Sequence, residues 1–171
     1  MPLKYTLSHF KEVQRFDQWW IWMILLGVTI IPIYGIYEQV IMGHSFGGDS
    51  MSDIGLTLVF LLVLLLDLLF IYVKLITEIS LDHINIKFLP FAQKSIRWRD
   101  IESAEVVDYG FLGYGIRLFT RYGTVYNGKG SKGLSLRLKN GKKFLIGTQK
   151  PIELIQFLTA RAQWQAAKNY I

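Results

Sequence analysis

The sequence predicts a membrane α + β protein: a two-helix transmembrane hairpin, then an antiparallel β-barrel or sandwich with a C-terminal α-helix. Three observations predict it. Two apolar stretches near the start each carry a single charge, the hydrophobic period changes from helical to two at about Thr77, and a helical pattern returns at Pro151. The composition agrees. Of 171 residues, 51% are hydrophobic and 19% charged, against about 25% charged in a soluble globular chain, and the mean hydropathy is +0.30. That balance argues against a simple soluble domain and against disorder. Cysteine is absent, which excludes disulfides, thiolate metal sites and cysteine nucleophiles. The net charge of +6 permits an acidic partner without naming one.

Residues 19–42 hold one charge, Glu38, and residues 54–73 hold one, Asp67. A helix of roughly 20 mostly apolar residues spans the bilayer core, and Pro32 and Gly35 are tolerated inside one. A cleaved signal peptide is the bland alternative for the first stretch. Its apolar run is too long for that, no small-residue cleavage site follows, and a second span comes soon after. Lys4, Lys11 and Arg15 precede the first span, the loop 43–53 has no Lys or Arg, and the remaining sixteen follow from Lys74 onward. The positive-inside rule then places both termini in the cytoplasm. Trp19, Trp20 and Trp22 mark the inner interface of the first helix, and Tyr72 that of the second. The tail 3–16 reads equally as an interfacial helix and as a strand or extended segment. The expected organisation is an N-terminal segment 1–18, a hairpin 19–76 and a cytoplasmic domain 77–171.

Within that domain, alternation runs through Glu78 to Leu81 and His83 to Phe88, and Pro90 stops it. Further strands are expected at 95–98, 104–109, 116–120, 124–127, 134–138 and 143–147, separated by Gly, Asn-Gly or Pro. The last hairpin fixes its own register. A two-residue Asn140-Gly141 loop would set Phe144 opposite Arg137. A three-residue loop, Lys139-Asn140-Gly141, pairs Leu136 with Phe144 and Leu134 with Ile146, with Gly141 in the left-handed conformation. Only the second keeps Leu134, Leu136, Leu138, Phe144 and Ile146 on one face. The helix Pro151–Lys168 has Pro151 in its first turn and Glu153 at its positive end, and Leu154, Leu158 and Ala162, with Ile155 beside them, form its expected buried stripe.

Several stretches resemble a known family. Thr77-Glu78-Ile79, Phe88-Leu89-Pro90-Phe91, Ile96-Arg97-Trp98-Arg99-Asp100-Ile101, Gly113-Tyr114-Gly115-Ile116-Arg117 and Ile146-Gly147-Thr148-Gln149-Lys150-Pro151 are similar to bacterial membrane-anchored pleckstrin-homology-like (PH-like) proteins. Glu12-Val13-Gln14-Arg15-Phe16 ahead of Trp19-Trp20 fits as well, so the resemblance covers nearly the whole chain. It implies two membrane helices followed by a PH-like barrel with a C-terminal helix, at the cell inner membrane. It implies no catalytic residues.

Two motifs tempt a different reading. Gly43-His44-Ser45-Phe46-Gly47 matches the nucleophile elbow of α/β-hydrolases, which needs a parallel sheet beneath it and an oxyanion hole supplied from upstream. Only 42 residues precede this one, and they contain a membrane helix. Gly128-Lys129-Gly130-Ser131-Lys132-Gly133 matches a dinucleotide fingerprint, but a strand rather than a helix is expected to follow it. The histidines His9, His44 and His83 have no ligand spacing, so no metal or cofactor is expected. The clustered carboxylates Asp100, Glu102, Glu105 and Asp108 read as a solvated edge.

Asp67 is the sharpest oddity. It lies roughly ten ångströms inside the span, at about 1.5 Å per residue from Lys74. A carboxylate there costs on the order of 3 kcal/mol, so it should be paired, protonated or set against another helix. Thr29 lies at comparable depth and is the expected partner, with Lys74 leaning in from two turns along. The charge outside the spans is lopsided: residues 110–150 hold nine basic and no acidic residues, whereas 77–109 hold four basic and six acidic. Anionic headgroups attract basic residues by about 1 kcal/mol each near the surface. Arg121, Lys129, Lys132, Lys142 and Lys143 are the expected anion contacts. The sequence therefore reads as a non-enzymatic membrane protein whose cytoplasmic domain binds anionic lipid or a protein partner, with nucleic acid disfavoured by tethering. The alternative is a subunit of a larger assembly or transporter, possible as a homo-oligomer, that uses Asp67 for helix contact or ion coupling.

Overall fold

The structure is a computed structural model that describes residues 9–47, 51–110 and 112–168. Its chain forms two units: one is Phe16–Val73, and the other joins the strand ahead of Phe16 to everything from Lys74 onward.

The first unit is helical because its sequence offers apolar side chains on every side and few alternatives. Helix α1 (Trp19–Ile36) continues through a π-helical turn, Tyr37–Ile41, and α2 covers Asp53–Tyr72. Ser52 starts α2 by accepting the Gly55 N–H on its hydroxyl at 3.1 Å. Pro32, Gly35 and Leu56 are covered where the helices meet. Most other large side chains are bare, including Leu26 at 58%, Ile54 at 75% and Leu65 at 63% exposure. A core helix of a soluble protein would be mostly covered; these two are long and apolar enough to cross a membrane. The connecting loop is tied back to the helices. Phe46 meets Tyr34 edge-on at 6.0 Å between ring centres, and Gln39 donates to Met51 O and Asp53 Oδ1, each at 2.6 Å.

The second unit contains two sheets. The first has the order β1-β2-β3-β4, with β1 His9–Arg15, β2 Lys74–Ser80, β3 His83–Leu89 and β4 Ala92–Arg97. After a 3-10 turn, Trp98–Asp100, come β5 (Ile101–Asp108), β6 (Gly115–Thr120), β7 (Gly123–Asn127), β8 (Lys132–Leu138) and β9 (Lys143–Thr148), which form a second sheet in the order β5-β8-β9-β7-β6. Of the two readings of the tail the strand is the one present, over His9–Arg15 and paired residue for residue with β2; residues 3–8 lie outside the described residues. Two expectations change. The β region begins at Lys74, three residues before Thr77. The second sheet is not wholly antiparallel, because β9 inserts between β8 and β7 and runs parallel to β7.

The alternating residues meet in one core. Leu75, Ile79, Ile84, Ile86 and Phe88 come from the first sheet, and Leu134, Leu136, Leu138, Phe144 and Ile146 from the second, each no more than 7% exposed. The β8–β9 register is the one the sequence predicts: Leu134 faces Ile146 and Leu136 faces Phe144. Gly141, at φ +81°, closes the three-residue turn, and its N–H donates to Leu138 O at 2.9 Å. On the outer side of the second sheet, Tyr109, Val125 and Leu145 form a smaller cluster with Val107, Leu112 and Tyr122. Helix α3 (Pro151–Lys168) contacts β1 and β5, one edge strand of each sheet. Its buried face is corrected: Leu154, Phe157 and Arg161 are covered, while Ile155 and Ala162 are exposed. A stripe at i, i+3 and i+7 fits a 3.6-residue period. Arg161 joins it by stacking on the Trp98 ring at 3.8 Å and donating to Leu81 O.

These contacts also define the two ends of the β unit. Arg15, Lys74 and Leu89 share one end of the first sheet, and Ser80, His83 and Arg97 the other. Arg161 reaches Leu81 at the far end, and α3 touches β5. Glu12, in mid-strand, meets β9 at Thr148, while Gln14, nearer Arg15, bonds Gly128 immediately after β7. In strand order across the second sheet, therefore, β5 lies toward the far end and β7, at its Gly128 end, toward Arg15.

Gly123 is the tightest point of the parallel pairing. Its φ is +75°, and a Cβ there would collide with the Lys143 carbonyl. Gly123→Ala should lower stability by about 3 kcal/mol or more. Gly141→Ala, at a positive φ in open space, should cost about 1 kcal/mol. Thermal unfolding of the detergent-solubilised chain, followed by its β circular-dichroism signal, compares the two.

Candidate functional site

A polar clasp on β1 ties the first sheet to the second. Its inward residues are Phe10, Glu12 and Gln14, all buried. Gln14 Nε2 donates to Gly147 O at 2.6 Å and to Glu12 Oε1 at 3.0 Å. Gln14 Oε1 accepts the Gly128 and Lys129 N–H groups, each at 3.2 Å. Glu12 accepts the Gln149 N–H at 2.7 Å and the Thr148 hydroxyl at 2.5 Å. Two side chains thus bond backbone groups of β9 and of the segments that follow β7 and β9. The same contacts bear on the glycine-rich motif. The amides of Gly128 and Lys129, which in a phosphate-binding loop would point at a ligand, point at Gln14, and strand β8 follows.

The five basic residues named from the sequence do not form one patch. Arg121 lies in the β6–β7 turn, and Lys142 and Lys143 lie at the start of β9. Thr124 pairs with Phe144 in the parallel ladder, which sets these three at one side of the sheet. Lys129 and Lys132 lie at the opposite side, where Lys132 pairs with Thr148. Arg121 stacks on Tyr122 at 4.8 Å. Arg137, across from Lys143, is partly neutralised by Glu102 at 3.2 Å. Among the described residues no carboxylate pairs with Arg121, Lys142 or Lys143.

A second basic surface escaped the linear count. The outward positions of the first sheet bring Lys11, Arg15, Lys74, Lys87 and Arg97 onto one face with a single acid, Glu78. Glu78 meets Lys11 at 2.8 Å and Lys87 at 3.6 Å. The Lys11 hydrogen bond, aided by both ammonium charges and opposed by partial burial, holds its carboxyl below the usual 4.5. The signal was present in the sequence as alternate basic residues, but they are spread over strands far apart in the chain. Elsewhere burial, with Asp108 adding, pushes the Tyr109 phenol up to about 12. Burial raises that of Tyr126 as well. It lowers the pKa of Arg161, against the pull of Asp82.

In the helical unit, Thr29 Oγ1 lies 2.7 Å from Asp67 Oδ2, the pair that depth alone suggests, and 2.8 Å from Leu25 O. Asp67 Oδ1 is buried without a hydrogen-bond partner among the described residues. Lys74 is not two helical turns along from Asp67, because α2 ends at Tyr72 and Lys74 opens β2. Ser45 follows a π-helical turn rather than a strand, so the strand–turn–helix of a nucleophile elbow is missing there. Among the described residues no group of His, Cys, Asp or Glu is arranged to hold a metal.

The β6–β7 hairpin carries a feature the sequence did not announce. Arg117 pairs with Val125 and Thr120 with Gly123, so Leu118 and Phe119 bulge against Thr124 alone. Phe119 has φ +59°, a left-handed conformation at a bulky residue. It is 99% exposed, and Leu118 is 60% exposed. Comparison with protein families and with curated proteins finds no family model and no curated protein that matches this chain.

Gln14→Ala removes hydrogen bonds to two N–H groups and a carbonyl and should lower stability by about 3 kcal/mol. Val13→Ala, on the exposed face of the same strand, should cost less than about 1 kcal/mol; thermal unfolding in detergent tests both. A double-mutant cycle with Thr29→Val and Asp67→Leu should give a coupling of about 0.6 kcal/mol. Asp67→Leu should leave the particle size unchanged by light scattering in detergent. A smaller particle would instead assign the open oxygen of Asp67 to a second subunit.

Proposed function

We propose that this chain is an integral, non-enzymatic membrane protein whose β unit docks on anionic lipid headgroups. One observation carries the reading: two long apolar helices, bare over most of their surface, are joined covalently to neighbouring strands of a unit rich in basic residues. Bare apolar surface of that extent is costly in water at about 25 cal/mol per Å² and costs nothing in lipid. The resemblance to bacterial membrane-anchored PH-like proteins supports the same reading, as does the Lys and Arg distribution, which favours both termini on the cytoplasmic side of the inner membrane. Arg121, Lys142 and Lys143, with Arg15 and Lys74, are the favoured headgroup contacts; Lys129 and Lys132, across the sheet, are secondary. A protein partner on the same basic surface is the competing outcome.

The test requires the full chain. A fragment 77–171 would lack β1 and the first three residues of β2, and so would open the core. The protein should resist extraction by alkaline carbonate. In nanodiscs containing anionic lipid, hydrogen–deuterium exchange across residues 117–123 and 139–143 should be slower than in neutral discs, and about 0.5 M salt should abolish the difference. Release by carbonate, or identical exchange in both discs, would defeat the proposal.

A further inference from the structure

We propose that Leu118 and Phe119, at the tip of the β6–β7 hairpin, form a wedge that enters the headgroup layer of an anionic bilayer. The inference rests on the membrane reading above and deepens it, by naming the element that touches the apolar part of the lipid.

Four observations converge on this pair. Phe119 is 99% and Leu118 60% exposed, an apolar pair held in water at an edge strand where a polar residue would be expected. The bulge lifts both out of the ladder, since Arg117 and Thr120 keep their partners and the two residues between them do not. The left-handed φ of +59° at Phe119 is a conformation that glycine would adopt without strain, so the position keeps a phenyl ring at a local cost. The tip is firmly built: Thr120 Oγ1 donates to Gly123 O at 2.9 Å and accepts the Tyr122 N–H at 3.1 Å, which aims the bulge through a closed turn.

The surroundings choose the occupant. Arg117 and Arg121 flank the pair in sequence, Lys142 and Lys143 lie beside the turn across the parallel ladder, and no acidic residue occurs between positions 110 and 150. An apolar tip ringed by cations matches the layered chemistry of an anionic bilayer surface, with phosphates outside and hydrocarbon beneath. Phe91, in the β3–β4 turn, is 59% exposed. It follows Leu89, which shares an end of the first sheet with Arg15 and Lys74. Gln14, next to Arg15, bonds Gly128 at the β7 end of the same hairpin. Covalent attachment of the β unit to two apolar helices lowers the entropy cost of docking on lipid.

The chain contains no cysteine, so Leu118→Cys carries a single environment-sensitive fluorophore while Phe119 stays in place. The labelled full-length protein is reconstituted in neutral and in anionic nanodiscs containing nitroxide-labelled lipid. Quenching should be strong in the anionic discs and fall with salt. Phe119→Gly should reduce the ratio of docked to undocked protein about ten-fold while leaving thermal stability equal or higher, because glycine relieves the left-handed strain. A probe at Ser103→Cys, on β5 at the far end, should remain unquenched in every disc.

A probe at position 118 that stays unquenched in a protein that resists carbonate would overturn the wedge and leave membrane anchoring intact. Release by carbonate would overturn the earlier reading and this one together. Shielding that persists in detergent and grows with protein concentration would place a second copy on the tip and overturn the lipid assignment. A lower stability for Phe119→Gly would also count against it, by giving the phenyl ring a role in the fold.

Discussion

The pairing of β1 with β2 is the constraint on which the rest of the structure depends. Arg15 faces Lys74 in the ladder, so the chain leaves the sheet and re-enters it at neighbouring residues after passing through both long helices. In effect the helical unit is the loop of a β-hairpin. Closing a long loop costs only about 0.6 kcal/mol for each doubling of its length, but a flexible loop would still leave the register loosely set. Here the loop brings its own ends together, because α1 and α2 are packed as an antiparallel pair joined by a tied-back turn. The 16–73 insertion therefore suits a two-strand junction in a way that disordered chain of equal length would not.

The register is then locked from the inside by polar chemistry. An edge strand with Glu and Gln facing a core breaks the usual rule that inward positions are apolar. The clasp explains the exception. A leucine at position 14 would bury more hydrocarbon and lose the hydrogen bonds to the Gly128 and Lys129 amides and the Gly147 carbonyl, and hydrogen bonds lost from buried groups cost more than a missing methyl group. Because a slip of one residue would turn Glu12 and Gln14 outward and bury Lys11 and Val13, the clasp also opposes every alternative pairing. Specificity of register comes from the polar residues, and bulk stabilisation from the apolar alternation of β2, β3, β8 and β9.

This division explains what the sequence disclosed. The apolar runs, the strands from His83 onward, the helix Pro151–Lys168 and the register of the last hairpin were legible because each is encoded locally, by period, by turn residues or by a single face that must stay dry. The proximity of Asp67 and Thr29 was legible because depth in a straight helix is simple arithmetic. What escaped depends on partners remote in sequence. The period of β1 is hidden by Glu12 and Gln14, whose burial makes sense only beside Thr148 and Gly128. The parallel ladder of β7 with β9 is set by the crossing of β8, which no local pattern records. Arg161 took a buried position expected of an apolar residue because a tryptophan ring and a free carbonyl happened to lie within its reach.

Charge shows the same limit more sharply. Counted along the chain, residues 110–150 hold the positive charge; in space that charge parts to two sides of one sheet, while a basic face assembles on the other sheet from Lys11, Arg15, Lys74, Lys87 and Arg97. Electrostatic attraction to a surface sums over groups within about a Debye length, roughly 8 Å at physiological salt, so spatial grouping matters and sequence density does not. The β6–β7 turn has its own cations, Arg121 beside it and Lys142 and Lys143 across the parallel ladder. There the structure also violates two local rules at once, by holding a phenylalanine in a left-handed conformation and by leaving it wholly exposed. Natural chains break local rules where something outside the fold repays them, and an anionic bilayer boundary offers hydrocarbon to an aromatic ring and phosphates to the cations around it.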